Sequence, residues 1–290
     1  MTATDRRLTG KAVLPTTGEI REVELFDAAP EDGQRVEVCT ADNSSLEYLT
    51  FARISLTGSP QTVQLADDEE ACFFVNEGTA EITVSGETHS VEKDGMLYVG
   101  LGETVELAGT ADVSEFRAPE CSTKYPAQLV QLSDIEGTDL AFHTGNPDNK
   151  TTRTVYKLID QNVDACRLLF GVTYLEKPGS VGSYPPHFHG PEGEGGLGDD
   201  AKEEIYVFRV SSRVPEEQAF VLQNVSRPGE DVNTYVHVFD EQAINVTPSF
   251  HDTIAPPTVD FSFTWCLASV KEGARDWAAI LKRPGYENES

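Results

Sequence analysis

The chain has 290 residues, enough for one large domain or two of ordinary size, each with its own core. Its 49 acidic residues outnumber 22 basic ones, giving a net charge of -27, which argues against a double-stranded nucleic acid partner because nothing would replace that partner's counterions. Such an excess repels itself at low ionic strength and is relieved by salt, which points to a protein adapted to a salty cytoplasm.

MTATDRRLTG lacks the apolar stretch of a signal peptide, and no window approaches a membrane span, so the cytoplasm is the expected compartment and no membrane contact is expected. Cys39, Cys72, Cys121, Cys166 and Cys266 are odd in number, far apart and never spaced CxxC. Neither a disulfide framework nor a thiolate metal site is indicated.

Helical periodicity is scarce along the chain. What recurs are short β-branched and aromatic runs bounded by Gly, Pro, Asp and Asn: EIREVELF, SLEYLTFARISL, ACFFVNEG, TAEITVSG, GMLYVG and ETVELAG. TAEITVSGETHSVEKDG alternates at period two and turns at SGE, a hairpin pattern. These runs predict an all-β unit over residues 1–125. APECSTKYPAQLV breaks the pattern, and the stretch 126–150, ending HTGNPDNK, reads as a connection. A second series follows over 151–290: TVYKLI, CRLLFGVTYL, EEIYVFRV, QAFVLQNV, TYVHVF, QAINVTP and FSFTWCLASV. Similar runs at similar spacing predict two related β-barrels in tandem, with one very large sandwich as the alternative.

Two of the six histidines, His187 and His189, stand one residue apart in SYPPHFH. Side chains alternate in an extended chain, so both imidazoles point to one side, and Pro185 and Pro186 favour that extended geometry. In EEIYVFRV, Glu204, Tyr206 and Phe208 share one face, while Ile205, Val207 and Arg209 share the other. If the glycine- and acid-rich loop 190–203 joins these edges, Glu204 turns towards the histidines. His251 follows QAINVTP and a tight SF connection. A lone HxH in a β-protein is often structural, but three imidazoles and a carboxylate suit a divalent transition ion with positions left for a ligand. His89 and His143 have no partner in register and are expected to be solvated. His237 shares a face with Tyr235 and Phe239 and is expected to be a wall or packing residue.

The order HxH, Glu, then a later His is the cupin metal pattern. SYPPHFH with EEIYVFR resembles the motif of 5-deoxy-glucuronate isomerase of inositol catabolism. TTRTVYKLI, QAINVTPSFHDTIAP and FSFTWCLA resemble 5-keto-4-deoxyuronate isomerase of pectin breakdown. Both enzymes sit in one bicupin family, and the likeness runs from about residue 70 onward. The ligand skeleton alone is shared by cupins of many activities, whereas SYPPHxH with EExYxxR is more specific. The resemblance implies an all-β bicupin of two tandem cupin-type barrels (a double-stranded β-helix). It also implies that the C-terminal barrel holds a divalent ion, zinc or else manganese or iron, on His187, His189, Glu204 and His251. Two departures stand out: Gly190 replaces a common aspartate, and PSFH is shorter than the usual turn. No HxH occurs in 1–150, so the N-terminal barrel is expected to be degenerate and structural.

The implied reaction is aldose–ketose isomerisation of a deoxy-uronic acid, 5-deoxy-glucuronate first and the pectin-pathway acid second. A divalent ion would act as Lewis acid, holding carbonyl and hydroxyl together and stabilising enediolate charge, without an organic cofactor. A base must move the proton between carbons. The sequence does not name it, and a carboxylate near the ion or a hydroxide on it would each serve. An anionic substrate in so acidic a protein needs a local cation. Arg153 and Lys157, on one side of TTRTVYKLI, are the candidates for its carboxylate, with solvated strand ends as the alternative. Tyr206 and Tyr184 are candidate pocket residues, and Arg209 is expected in a structural ion pair. A cupin iron dioxygenase and a sugar-acid-binding bicupin without turnover are the competing classes, and oxygen dependence separates the first from an isomerase. A homo-oligomer is expected.

Overall fold

The computed structural model describes residues 6–14, 17–190, 200–230 and 232–289, so the stretch 191–199 of the acidic loop lies outside the described residues. The regular structure of the chain is almost wholly strand, in two β-barrel units set in tandem. Each unit has its own interior cluster, which the single-sandwich alternative would not produce.

The first unit is one sheet ordered Gln128–Val130, Met96–Val99, Glu70–Val84, Thr104–Ala118, Thr50–Thr57, Arg35–Cys39. ACFFVNEG and TAEITVSG, two separate runs in the sequence, are one 15-residue strand that bends where the register slips between Val75 and Glu77. Gly78 permits the bend: its φ is +81°, and a Cβ there would lie 2.2 Å from the Thr110 carbonyl oxygen. The predicted hairpin turns through Ser85 and Gly86, both at positive φ, the backbone a two-residue turn requires.

The second unit joins two sheets. The larger runs Gln242–Asn245, Lys202–Ser212, Val259–Ser269, Leu168–Leu175, Arg153–Ile159, Ala141–Thr144; the smaller runs Tyr235–Phe239, Phe220–Asn224, His251–Ile254, Val181–Phe188, Leu281–Lys282. EEIYVFRV is buried almost throughout because its strand is covered on both faces. Ile205 and Val207 pack towards the first unit with Phe74, Phe116 and Phe170, while Tyr206 and Phe208 pack into the second barrel with Phe261 and Phe263.

The expected division at residues 125 and 150 is crossed by hydrogen bonds. The hairpin Arg7–Val13/Ile20–Asp27 adds to the larger sheet of the second unit, with Ala243 opposite Phe26. Val23 and Leu25 enter the second barrel's core, and Phe26 enters the layer between the barrels. The connection is itself ordered. Gln128–Val130 pairs with Met96–Val99 of the first unit, and Ala141–Thr144 pairs with Arg153–Ile159 of the second.

The two units are locked by Glu70, which is fully buried. Its carboxylate accepts from Tyr98 Oη (2.7 Å) and from the backbone N–H groups of Cys166, Arg167 and Leu168 (2.7, 2.7 and 2.8 Å). Cys121 and Cys166 lie beside it, with one donor atom from each residue within 4.8 Å of the others. This group resembles a metal cradle only in outline. Glu70 is saturated by four donors, and burial pushes the Cys166 thiol up to about 11 and the Cys121 thiol up as well, which disfavours thiolate ligands.

Candidate metal centre

Strand pairing assembles the histidines. Val181–Phe188 runs antiparallel to His251–Ile254, with His187 directly opposite His251 and their ring centroids 4.7 Å apart. His189 lies on the same side, its ring 5.5 Å from His187 and 6.3 Å from His251. Glu204 comes from the neighbouring sheet and places Oε2 3.4 Å from His251 Nε2. The structure thus brings together the four side chains that the sequence pattern singles out.

Their hydrogen bonds leave ring lone pairs bare. His187 Nδ1 lies 2.7 Å from the Pro185 carbonyl oxygen, and His251 Nδ1 lies 3.2 Å from that of Ser249. A carbonyl only accepts, so each Nδ1 carries the proton and each Nε2 keeps its lone pair. His251 Nε2 and His189 Nδ1 are buried without a hydrogen-bond partner. Buried polar atoms are ordinarily satisfied, so two orphaned imidazole nitrogens in one cluster, that of His251 3.4 Å from a carboxylate oxygen, need an explanation. A divalent ion supplies one, and the donor set of neutral imidazoles with a carboxylate fits it.

The electrostatics agree. Burial pushes His187 down to about 4 and holds His189 and His251 well below the usual imidazole range, keeping all three neutral. Burial also raises the Glu204 carboxyl well above its usual range, a cost that a neighbouring cation reverses. Behind the histidines, Asp252 accepts from Asn224 Nδ2 (2.6 Å) and Tyr235 Oη (3.2 Å), a buried support that sequence reading missed.

A cavity of about 350 Å³ opens onto this centre, lined by His187, His189, Glu204 and Tyr206 and walled by Trp265 and Trp277. Tyr206 is buried, stacks on Phe263 at 4.6 Å, and holds its hydroxyl 2.9 Å from Ser183 Oγ. Tyr184 lies at the rim, its hydroxyl 3.1 Å from Glu289. Arg153 also lines the cavity. Its guanidinium donates to the carbonyls of Thr151 (2.8 Å) and Tyr184 (3.0 Å) and has no carboxylate partner among the described residues.

Lys157 does not line the cavity. Its ammonium pairs with Asp160 and sits 5.2 Å from the Trp277 ring centre. The strand slips register between Lys157 and Ile159, which brings Asp160 within its reach. Arg209 faces away from the centre and pairs with Asp112 (2.9 Å) and Glu241, as an ion-pair residue should. His143 is exposed beside Glu176, as expected. His89 is not the solvated residue expected, since it is half-buried in the first unit's hairpin with its Nε2 enclosed and without a hydrogen-bond partner. His237 packs on Phe220 at 4.9 Å on the outer surface, so it is a packing residue and not a pocket wall.

Comparison with known proteins bears on the family and the fold. A family model described as the KduI/IolB family matches residues 25–284. The 4-deoxy-L-threo-5-hexosulose-uronate ketol-isomerase of Shouchella clausii is 26% identical over 274 residues, 87% of this chain and 88% of its own. The 5-deoxy-glucuronate isomerase of Halalkalibacterium halodurans is 26% identical over 233 residues, 75% of this chain and 80% of that one. Among solved structures, an IolB-like protein from Salmonella typhimurium has a TM-score of 0.73 at 19% identity, covering 89% of this chain and 96% of that chain. An oxalate decarboxylase from Lactobacillus farciminis has a TM-score of 0.60 at 11% identity, covering 91% and 89%. These two likenesses show the fold alone. With the family model spanning almost all of the described residues, the chain belongs to the KduI/IolB family, and the expectation of an isomerase on two cupin-type barrels stands.

Proposed function

We propose that His187, His189, Glu204 and His251 hold one divalent ion, zinc first, and that the cavity above it converts a deoxy-uronic acid between its aldose and ketose forms. The observation that carries this reading is the buried, unpartnered Nε2 of His251 3.4 Å from Glu204, within a cluster of three imidazoles beside a cavity that also holds a guanidinium without a carboxylate partner among the described residues. The ion, when bound, supplies Lewis-acid stabilisation of negative charge on oxygen.

The chain's own residues do the rest. Arg153, positioned by two backbone carbonyls, offers its remaining N–H groups to the substrate carboxylate. The paired hydroxyls of Tyr206 and Ser183 can hold a substrate hydroxyl. Trp265 and Trp277 wall the site and limit water, which strengthens every charge interaction inside it.

The acid we propose is 5-deoxy-glucuronate, on the motif SYPPHFH with EEIYVFR. A second reading, the 4-deoxy-5-hexosulose uronate, is favoured by the ketol-isomerase that aligns over 88% of its own length. No helix among the described residues is long and apolar enough to cross a membrane. We place the enzyme in a reducing, salt-rich cytoplasm, which is consistent with five free buried cysteines and the charge of -27, and expect it to be a homo-oligomer. The test is conversion of each acid by metal-loaded protein without oxygen. Conversion of at least one acid with solvent hydrogen entering next to the carbonyl is expected. Turnover of neither, or turnover only as oxygen is consumed, overturns the reading in favour of a binding protein or a dioxygenase.

A further inference from the structure

The C-terminal segment ARDWAAILKR carries no alternating pattern, yet it closes one side of the cavity. Its short strand Leu281–Lys282 pairs with Val181–Phe188, and the register sets Lys282 directly opposite His187. His251 stands opposite His187 from the other side. Residues opposite each other on antiparallel strands present their side chains on the same face, so His251, His187 and Lys282 form one row across the sheet. Lys282 lines the cavity, and its ammonium donates to the Glu289 carbonyl oxygen at 2.7 Å.

Arg153 reaches the same cavity from the other sheet. Neither cation has a carboxylate partner among the described residues, although the chain carries more than two acidic residues for each basic one. Arg6, Arg21, Arg35, Arg53 and Arg117 have carboxylate partners, and Arg167 and Arg275 spend their donors on three or four backbone carbonyls each. What sets Arg153 and Lys282 apart is that they line the cavity. Two cations left without acids beside a single cavity are arranged for an anion from outside the chain.

We infer that Lys282 is a second carboxylate-binding residue, which with Arg153 clamps the acid group of the substrate on the His187 side and selects sugar acids over neutral sugars. This rests on the proposed sugar-acid reading, but binding alone tests it. The probes are D-gluconate and D-glucitol, six-carbon chains that differ in the carboxylate, titrated calorimetrically into the metal-loaded full chain. The unmodified protein should prefer gluconate. Lys282→Gln should weaken gluconate by about tenfold, the scale of one charge-assisted hydrogen bond, leave glucitol unchanged, and be rescued by Lys282→Arg. Equal affinity of the unmodified protein for both probes, equal losses for both in the variant, or unchanged gluconate binding would overturn the clamp. Failure to isomerise either uronate while this charge-selective pattern persists would count against the proposed reaction and leave the clamp standing.

Discussion

The two barrels of this chain use the same kind of strands and both bury an apolar cluster, but they differ in what lies beside their deepest carboxylates. In the first, Ile54, Phe73, Val75, Ile82, Val99 and Leu107 fill the middle completely. Its fully buried carboxylates are spoken for: Glu70 accepts from four donors, and Glu115 pairs with Arg35 and Arg117. In the second barrel, Glu204 is just as deep, but its recorded ion-pair contact is His251 at 3.4 Å, and that nitrogen has no hydrogen-bond partner. Burial of charge therefore does not distinguish the barrels. Nor does satisfaction alone, since Asp252 and Glu203 of the second barrel are hydrogen-bonded. What sets Glu204 apart is a side-chain carboxylate with no hydrogen-bond donor among the described residues beside bare imidazoles, the arrangement that the proposed ion would satisfy.

Substitutions sharpen this contrast in decreasing order of effect. His251→Ala removes a proposed ligand and should cut turnover on the order of a thousandfold or more, with circular dichroism largely unchanged. Glu70→Ala should do the reverse. It strands four donors at the joint between barrels and should cost about 3 kcal/mol or more in denaturant unfolding, without loss of the ion. Glu204→Gln keeps the shape but removes the ligand charge, and should lower turnover roughly ten- to a hundredfold with a smaller effect on unfolding. The smallest effect concerns the whole molecule. The charge of -27 should raise the melting temperature by a few degrees between dilute buffer and molar KCl, as screening relieves repulsion. A midpoint that stays flat across the salt series would contradict that reading of the charge.

Much of the centre was legible because period-two alternation is local. His187 and His189 had to share a side if extended, and Glu204, Tyr206 and Phe208 had to share another, as they do. What alternation cannot supply is the partner or the register. The hairpin at residues 7–27 alternates identically whichever sheet it joins, and it joins the second barrel's. Arg153 and Lys157 read alike until a register slip hands Lys157 to Asp160. Lys282 was invisible because a two-residue strand has no period, and its place in the cavity comes from long-range pairing with the histidine strand. Trp277 lies in a turn before that short strand, where no periodicity marks it. His237 was correctly grouped with Tyr235 and Phe239, but the pattern could not say that their face is the outer one.

The central claim is that the second barrel holds the ion and the first does not, and the most direct test is metal content after purification. Four proteins suffice: the unmodified chain, His187→Ala, His251→Ala and, as the first-barrel control, His89→Ala. The account predicts about one divalent ion per chain in the unmodified protein and in His89→Ala, and nearly none in the two second-barrel variants. Equal metal in all four, or loss of metal in His89→Ala alone, would contradict it.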